Sequence, residues 1–127
     1  MIIVDSDVLI AHLRGLEVAR DWLIGARRRT GPLAVSVVSI AEIAGGMRSG
    51  ERREVTRLLG TLQPVPVDPA VAWRAGELRR TYRQSHAAVG TADYLIAASA
   101  DVHGYELATL NVRHFPMFEG LEPPFAV

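Results

Sequence analysis

The chain begins with the stretch Met1-Ile2-Ile3-Val4-Asp5-Ser6-Asp7-Val8-Leu9-Ile10, in which an apolar run stops at a carboxylate and an amphipathic segment follows. The apolar run suits a strand buried on both faces, and Ser6 or Asp7 can cap the helix that follows. Asp5 is therefore expected at the carboxyl end of a central strand. Ligands bind at that edge of open α/β sheets, so Asp5 is a candidate site residue.

Composition predicts one soluble domain that spans residues 1–127. The chain is 49% hydrophobic, enough for a substantial core. Cysteine is absent, which excludes disulfides, thiolate zinc sites and cysteine catalysis and fits a reducing compartment, so a cytoplasmic location is expected. No apolar run approaches the roughly 20 residues of a membrane span, and the first residues lack the pattern of a signal peptide.

The basic residues are unusual because all 14 are arginine. A net charge of +0 gives no general attraction to nucleic acid. Arginine nevertheless pairs bidentately with phosphate or carboxylate. A biased genome composition would produce the same excess, and both explanations stay open.

Apolar periodicity in the first half predicts strands that alternate with helices. A helix is expected over 16–29, with Val18 and Trp22 facing inward, and a buried strand over 33–38. Ser39 and Glu42 form a capping-box pattern that would open the next helix, with Glu42 in its first turn.

The second half continues the alternation. A helix is expected over 50–62, and a short strand near 64–67 fits only the sheet edge because proline cannot donate to a ladder. Asp68-Pro69 opens a helix to about Gln84, Thr91 opens the most apolar helix, which Gly104 ends, and a strand follows over 106–110. This order predicts a parallel, doubly wound α/β sheet flanked by helices.

Four polar residues, Asp5, Glu42, Asp93 and Asn111, each lie just after a predicted strand or at a helix start. Each one alone is explained as a helix cap or a first-turn carboxylate. Together they would meet on one edge of a doubly wound sheet, which helix capping does not require. Their joint placement favours a functional site.

Four motifs resemble those of the PIN-domain nucleases and, within them, the VapC-type toxins of bacterial toxin–antitoxin modules. They lie at 3–10 (Ile-Val-Asp-Ser-Asp-Val-Leu-Ile), 39–43 (Ser-Ile-Ala-Glu-Ile), 92–98 (Ala-Asp-Tyr-Leu-Ile-Ala-Ala) and 109–115 (Thr-Leu-Asn-Val-Arg-His-Phe). The motifs occur in the family's order and span nearly the whole chain. The resemblance implies a PIN domain over 1–127.

The resemblance also implies that Asp5, Glu42 and Asp93 hold a divalent metal. The family commonly has a fourth acid where this chain has the neutral Asn111, which puts a second tightly held metal in doubt. Asp7 departs from the small or amide residue often found at its position and would restore some of the missing charge from behind the metal ligands. Ser6 and Thr109 are expected to hold these ligands by hydrogen bonds.

These donors are all oxygen atoms, which Mg²⁺ prefers and Mn²⁺ accepts. The expected reaction is hydrolysis of RNA by metal-activated water, in which Glu42 orients the water and Asn111 positions a water or a phosphate. The resemblance implies 5′-phosphate products. The histidines, which show no metal-ligand spacing with the acids, are expected on the surface or in packing. They are His12, His86, His103 and His114.

Two kinds of partner are expected besides the substrate. Arginines near the predicted junctions would contact RNA: Arg14, Arg48 and Arg113, with Arg52 and Arg53 beside them. Similar toxins imply a homodimer and a VapB-like antitoxin whose C-terminal segment covers the active site. Trp22, Trp73 and Leu59 would line the antitoxin groove, although packing in the core is the simpler role for each tryptophan.

Two rival functions remain open. Asp5-Ser6-Asp7 also suggests the nucleophile motif of haloacid-dehalogenase-like phosphatases, but the chain is short for that fold and lacks the lysine on which that family relies. A PIN-like scaffold that binds RNA or protein without cutting is the non-enzymatic rival, because the fourth acid is missing.

Overall fold

A computed structural model describes all 127 residues. The strands are β1 (Ile2–Val4), β2 (Ala34–Ser36), β3 (Gln63–Val65) and β4 (Glu106–Ala108). The helices are α1 (Ser6–Leu13), α2 (Glu17–Thr30), α3 (Val37–Gly46), α4 (Arg52–Leu59), α5 (Pro69–Tyr82) and α6 (Thr91–His103), and a 3₁₀ turn covers Val112–His114.

The four strands form one parallel sheet in the order β3-β2-β1-β4. The chain builds outward from β1 to β3 and then crosses back to place β4 on the other side of β1. The strand order therefore reverses between β1 and β4, and ligands bind open α/β sheets at such a reversal. In the register Val4 lies beside Ala108, so the residues that follow them, Asp5 and Thr109, emerge together at this point.

Helices cover both faces of the sheet, as the predicted doubly wound architecture requires. Ile3, Ala34 and Leu107 pack in a core with residues of α5 and α6. The alternate strand residues Val4, Val35 and Ala108 pack in a second core with residues of α1, α2, α3 and α4. The predicted class of α/β fold is therefore confirmed.

Local signals set several helix ends as predicted. Asp68 caps α5 by accepting a hydrogen bond from Val71 N at 2.9 Å, and Pro69 occupies the first helical position. Gly104 ends α6 with φ +69°, a left-handed conformation that glycine adopts without a Cβ penalty. β3 lies at the sheet edge, where its proline is tolerated.

The predicted start of α3 is wrong. β2 ends at Ser36, whose side chain caps α3 by accepting a hydrogen bond from Val38 N at 3.1 Å. Ser39 is instead fully buried inside the helix, and its hydroxyl has no partner. Glu42 consequently lies in the second turn, on the exposed side of α3.

Three further assignments differ from the sequence analysis. Asp5, rather than Ser6 or Asp7, is the residue that caps α1. Val18 is exposed, and Ala19 and Ala26 form the buried side of α2. The core role given to Trp73 is wrong, since 78% of this residue is exposed.

No helix combines the length and hydrophobicity that crossing a membrane requires.

Candidate active site at the acidic edge of the sheet

We call the edge of the sheet that carries Asp5, Asp7, Glu42 and Asp93 the acidic edge. Asp5 is its buried centre, with only 6% of its surface exposed. Its Oδ1 accepts a hydrogen bond from Ser6 N at 2.8 Å, and its Oδ2 accepts one from Thr109 Oγ1 at 2.8 Å. Burial, followed by the nearby charge of Asp7, raises the pKa of Asp5 from 3.8 to about 6, although both hydrogen bonds oppose this change and Glu42 adds to it. The site therefore holds uncompensated negative charge at neutral pH.

Asp7 connects the start of α1 to the turn after β4. Its Oδ2 accepts a hydrogen bond from Leu110 N at 3.0 Å and lies 3.2 Å from Thr109 Oγ1. Its Oδ1 is buried without a partner, and burial raises the pKa of this carboxyl. Asp7 thus holds the turn that carries Asn111 and adds negative charge beside Asp5.

Thr109 links the two strands at the sheet edge. Its hydroxyl accepts a hydrogen bond from Asn111 N at 3.1 Å while its proton points to Asp5. The Asn111 side chain takes part in no hydrogen bond within the protein and is partly exposed, so its amide is available to a ligand. Thr109 thus holds the Asp5 carboxylate by a hydrogen bond.

Glu42 reaches the same edge from α3. Ser6 Oγ donates a hydrogen bond to Glu42 Oε1 at 3.3 Å, so one residue, Ser6, contacts both Asp5 and Glu42. Glu42 is exposed and has no basic partner within ion-pair distance. Its second oxygen is available to a cation or a water molecule.

Asp93 lies in the first turn of α6, where Gly90 N donates to its Oδ2 at 3.1 Å. His114 Nδ1 lies 3.1 Å from the same oxygen and donates to it. His114 is partly exposed at the surface, as expected, and its contact with Asp93 is a role that the sequence analysis did not assign to it. His114 follows Asn111 by three residues, which is one turn of 3₁₀ helix, so both residues lie on the same side of the turn. This spacing is the sequence signal that could have identified His114.

The structure joins predicted site residues, and with them His114, into two hydrogen-bonded groups at this edge. One contains Asp5, Ser6, Asp7, Glu42 and Thr109, and the other contains Asp93 and His114. No three acidic or histidine side chains converge closely enough to ligate one metal ion directly. Mg²⁺ usually keeps several waters and uses one or two carboxylates, so this oxygen-rich edge fits it through partly water-mediated contacts.

The arginines predicted to contact RNA differ in their surroundings. Arg14 pairs with Glu51, which also accepts a hydrogen bond from Arg48 N, so Arg14 has a structural partner. The side chains of Arg48 and Arg113 are exposed and form no ion pair within the protein. Arg48 and Arg113 remain candidates for RNA contacts.

The groove expected from Trp22, Trp73 and Leu59 does not form. Trp22 packs against Phe125 with the ring centres 6.4 Å apart, in the core layer of α1 to α4. Trp73 extends from α5, on the opposite face of the sheet. A different groove lies between α2 and α4; its apolar residues are Leu23, Ile24, Leu33, Leu58 and Leu62, and its polar ones are His12, Arg20, Arg27 and Thr61.

A parallel α/β domain with carboxylates at its strand-order reversal belongs to the class of open-sheet proteins that bind ligands at that reversal. Residues 2–117 match the protein family described as "PIN domain". Ribonuclease VapC10 of Mycobacterium tuberculosis is 64% identical over 127 residues, which cover 100% of this chain and 95% of that protein. Ribonuclease VapC19 of the same species is 35% identical over 125 residues, which cover 98% and 100%.

A solved toxin–antitoxin complex from Klebsiella pneumoniae contains a similar chain, with a TM-score of 0.81, 25% identity and coverage of 100% of both chains. The protein described here belongs to the PIN-domain family and, within it, to the VapC group. The family resemblance noted in the sequence is therefore confirmed.

Proposed function

We propose that this protein is the toxin of a toxin–antitoxin pair and an endoribonuclease that hydrolyses RNA with Mg²⁺, for which Mn²⁺ can substitute. The observation that carries the proposal is the full-length similarity to ribonuclease VapC10 in a chain whose acidic residues stand at the strand-order reversal. The raised pKa of Asp5 supports a cation site, since burial and, after it, the charge of Asp7 disfavour the ionised carboxylate in the protein alone.

Asp5, Glu42 and Asp93 are the proposed metal ligands, directly or through water. When bound, the cation supplies positive charge that stabilises the phosphoryl oxygens and eases deprotonation of the attacking water. Ser6 and Thr109 fix the Asp5 carboxylate, and Gly90 N and His114 fix one oxygen of Asp93.

Glu42 and Asn111 are proposed to act on water and phosphate. Glu42 projects from the exposed side of α3, where its free oxygen accepts a hydrogen bond from the attacking water. The Asn111 amide donates to a phosphate oxygen of the RNA. Attack of water on phosphorus breaks the bond to the 3′ oxygen, so the products carry 5′-phosphate and 3′-hydroxyl ends.

The antitoxin is the proposed occupant of the groove between α2 and α4. This groove has a volume of about 240 Å³, an apolar lining and two arginines, Arg20 and Arg27. It suits a segment that carries apolar side chains with acidic ones beside them. A homodimer and a cytoplasmic location remain part of the proposal, and light scattering of the purified protein tests the dimer.

Purified protein incubated with total RNA, with and without Mg²⁺, tests the proposed activity when the new RNA ends are mapped by sequencing. We expect ends that require both Mg²⁺ and Asp93, with Asp93→Asn as the control. Equal numbers of ends from wild type and Asp93→Asn would refute the nuclease. In that case, Mg²⁺ affinity measured by calorimetry would test the non-cutting scaffold, which should bind no Mg²⁺ at millimolar concentration.

A further inference from the structure

The outer side of α5 carries an exposed tryptophan among arginines. We define the α5 outer face as Trp73, Gly76, Arg79, Arg80 and Arg83, which line one shallow depression and are all exposed. These residues lie opposite the buried side of the helix, which packs in the core through Val71, Ala75 and Leu78. Folding of the protein therefore does not explain them.

Trp73 is the most informative residue of the α5 outer face. Its exposed fraction, 78%, is large for an aromatic residue that could otherwise be buried. Gly76 lies one turn further along, and a Cβ added there would meet nothing within 4 Å. A glycine inside a helix costs about 1 kcal/mol relative to alanine, and no packing contact requires it here. The ring of Trp73 is thus left open beside a helix position that has no side chain.

The charges of the α5 outer face favour a polyanion. Arg79, Arg80 and Arg83 form no ion pair, whereas Glu77, the acid beside them, already pairs with Arg74 at 3.8 Å. A second copy of this chain docked here about a twofold axis would bring like charges together. Single-stranded RNA offers both phosphates for arginine and unpaired bases that stack on tryptophan.

The position of the helix links this surface to the acidic edge. β3 ends at Val65 and α5 begins at Pro69, so α5 starts from the edge where the parallel strands end. Trp73 lies in the second turn, and Arg83 follows about 15 Å further along the helix axis. The α5 outer face therefore runs from Trp73, near this edge, to Arg83, which lies further from it.

We propose that the α5 outer face is a second RNA-binding surface, on which Trp73 stacks an unpaired base and Arg79, Arg80 and Arg83 hold the neighbouring phosphates. This inference rests on the proposed ribonuclease function for its choice of RNA, but it concerns binding away from the metal ligands. The surface holds substrate outside the acidic edge and favours long, unpaired RNA over short or duplex RNA.

Tryptophan fluorescence tests the stacking directly. In a Trp22→Phe background Trp73 is the one remaining tryptophan, and EDTA prevents cleavage. We expect a single-stranded RNA of about 12 nucleotides to quench Trp73 and a blunt duplex of the same length to leave it unquenched. Trp73→Ala should weaken single-strand binding about fivefold or more, and Trp73→Tyr should retain most of it. An RNA that binds without quenching Trp73 would overturn the proposal.

Salt dependence tests the arginines. Arg80→Ala/Arg83→Ala should lower the slope of log K against log salt by about 1.4, because each phosphate contact to single-stranded RNA contributes about 0.7. The matched control is Arg28→Ala/Arg29→Ala, which removes the same charge from exposed residues of α2. An equal loss in both double variants would show general charge attraction and overturn the site.

Cleavage and light scattering separate the remaining outcomes. In Mg²⁺, Trp73→Ala should raise the KM for long RNA more than the KM for an RNA too short to reach Trp73 from the acidic edge. Equal changes in the two KM values would overturn the proposal. If wild type cuts no RNA, the proposed nuclease fails, while quenching in EDTA still decides the binding surface. Dissociation of a dimer by Trp73→Ala would identify the face as an interface between copies and overturn the RNA assignment.

Discussion

Replacing Asp5 by Asn should stabilise the metal-free protein at neutral pH. The pKa of Asp5 is raised from 3.8 to about 6 by burial and by the charge of Asp7. A difference of one unit between the folded and unfolded pKa corresponds to about 1.36 kcal/mol, so the ionised carboxylate lowers the free energy of unfolding by about 3 kcal/mol. For a chain of this length, removing that cost raises Tm by about 10 °C.

The hydrogen bonds of Asp5 can survive the substitution. The Asn oxygen accepts from Ser6 N, and its amide donates to Thr109 Oγ1, which then donates to Asp7 Oδ2. The stabilisation should therefore be close to the full free-energy cost of ionising Asp5, and the raised pKa of Asp7 is common to both proteins.

The pH dependence has a defined sign. Because the folded protein binds the Asp5 proton more tightly than the unfolded chain, the cost is complete above about pH 6, fades as pH falls, and is absent below about 3.8. The gap in Tm between Asp5→Asn and wild type should close over this range. Circular dichroism melts in EDTA at several pH values measure it.

Asp68→Asn is the matched control, because Asp68 also caps a helix and Asn caps about as well as Asp. It should change Tm by no more than 1 to 2 °C. Mg²⁺ at a hundredfold excess over its Kd should stabilise wild type by about 2.7 kcal/mol and Asp5→Asn much less. An Asp5→Asn protein that melts below wild type in EDTA at pH 7 yet responds fully to Mg²⁺ would refute this reasoning.

Substitutions at five further positions test separate parts of the account. Asn111→Asp should tighten Mg²⁺ binding in calorimetry, since it adds an anionic ligand; an equal or weaker affinity would remove Asn111 from the metal site. Arg113→Ala should lower the salt slope of RNA binding by about 0.7, and an unchanged slope would assign Arg113 a structural role. His114→Ala should reduce kcat by freeing Asp93, with partial recovery in His114→Asn; activity at the wild-type level would show that this contact is dispensable. Ser36→Ala should lower the free energy of unfolding by about 1 kcal/mol, whereas Ser39→Ala should leave it unchanged or raise it, and the reverse order in urea denaturation would restore the predicted cap.

The sheet and its edge were predictable because their signals are local. The apolar run before Asp5 is buried when it forms a strand that is covered on both faces. The Asp68-Pro69 pair sets the start of α5, because Asp68 caps the helix and proline suits its first position. The neighbourhood of Asp5 and Thr109 then follows from strand order.

The errors arose where two local patterns compete or where tertiary contacts decide. Ser36 and Ser39 both fit a helix start, and the length of β2 selects Ser36. His114 meets Asp93 through the turn after β4 and the start of α6, which lie 21 residues apart in sequence. Trp73 occupies the solvent side of α5, where hydrophobicity alone predicts burial and only the helix orientation shows exposure.

Cleavage of a defined RNA in ¹⁸O-labelled water tests the proposed reaction most directly, because water rather than the ribose hydroxyl is proposed to attack phosphorus at the acidic edge. The expected result is one ¹⁸O atom in the 5′-phosphate of each new fragment, detected by mass spectrometry, in Mg²⁺ but not in EDTA and not with Asp93→Asn. Fragments that end in an unlabelled 2′,3′-cyclic phosphate would show attack by the ribose hydroxyl and contradict the account.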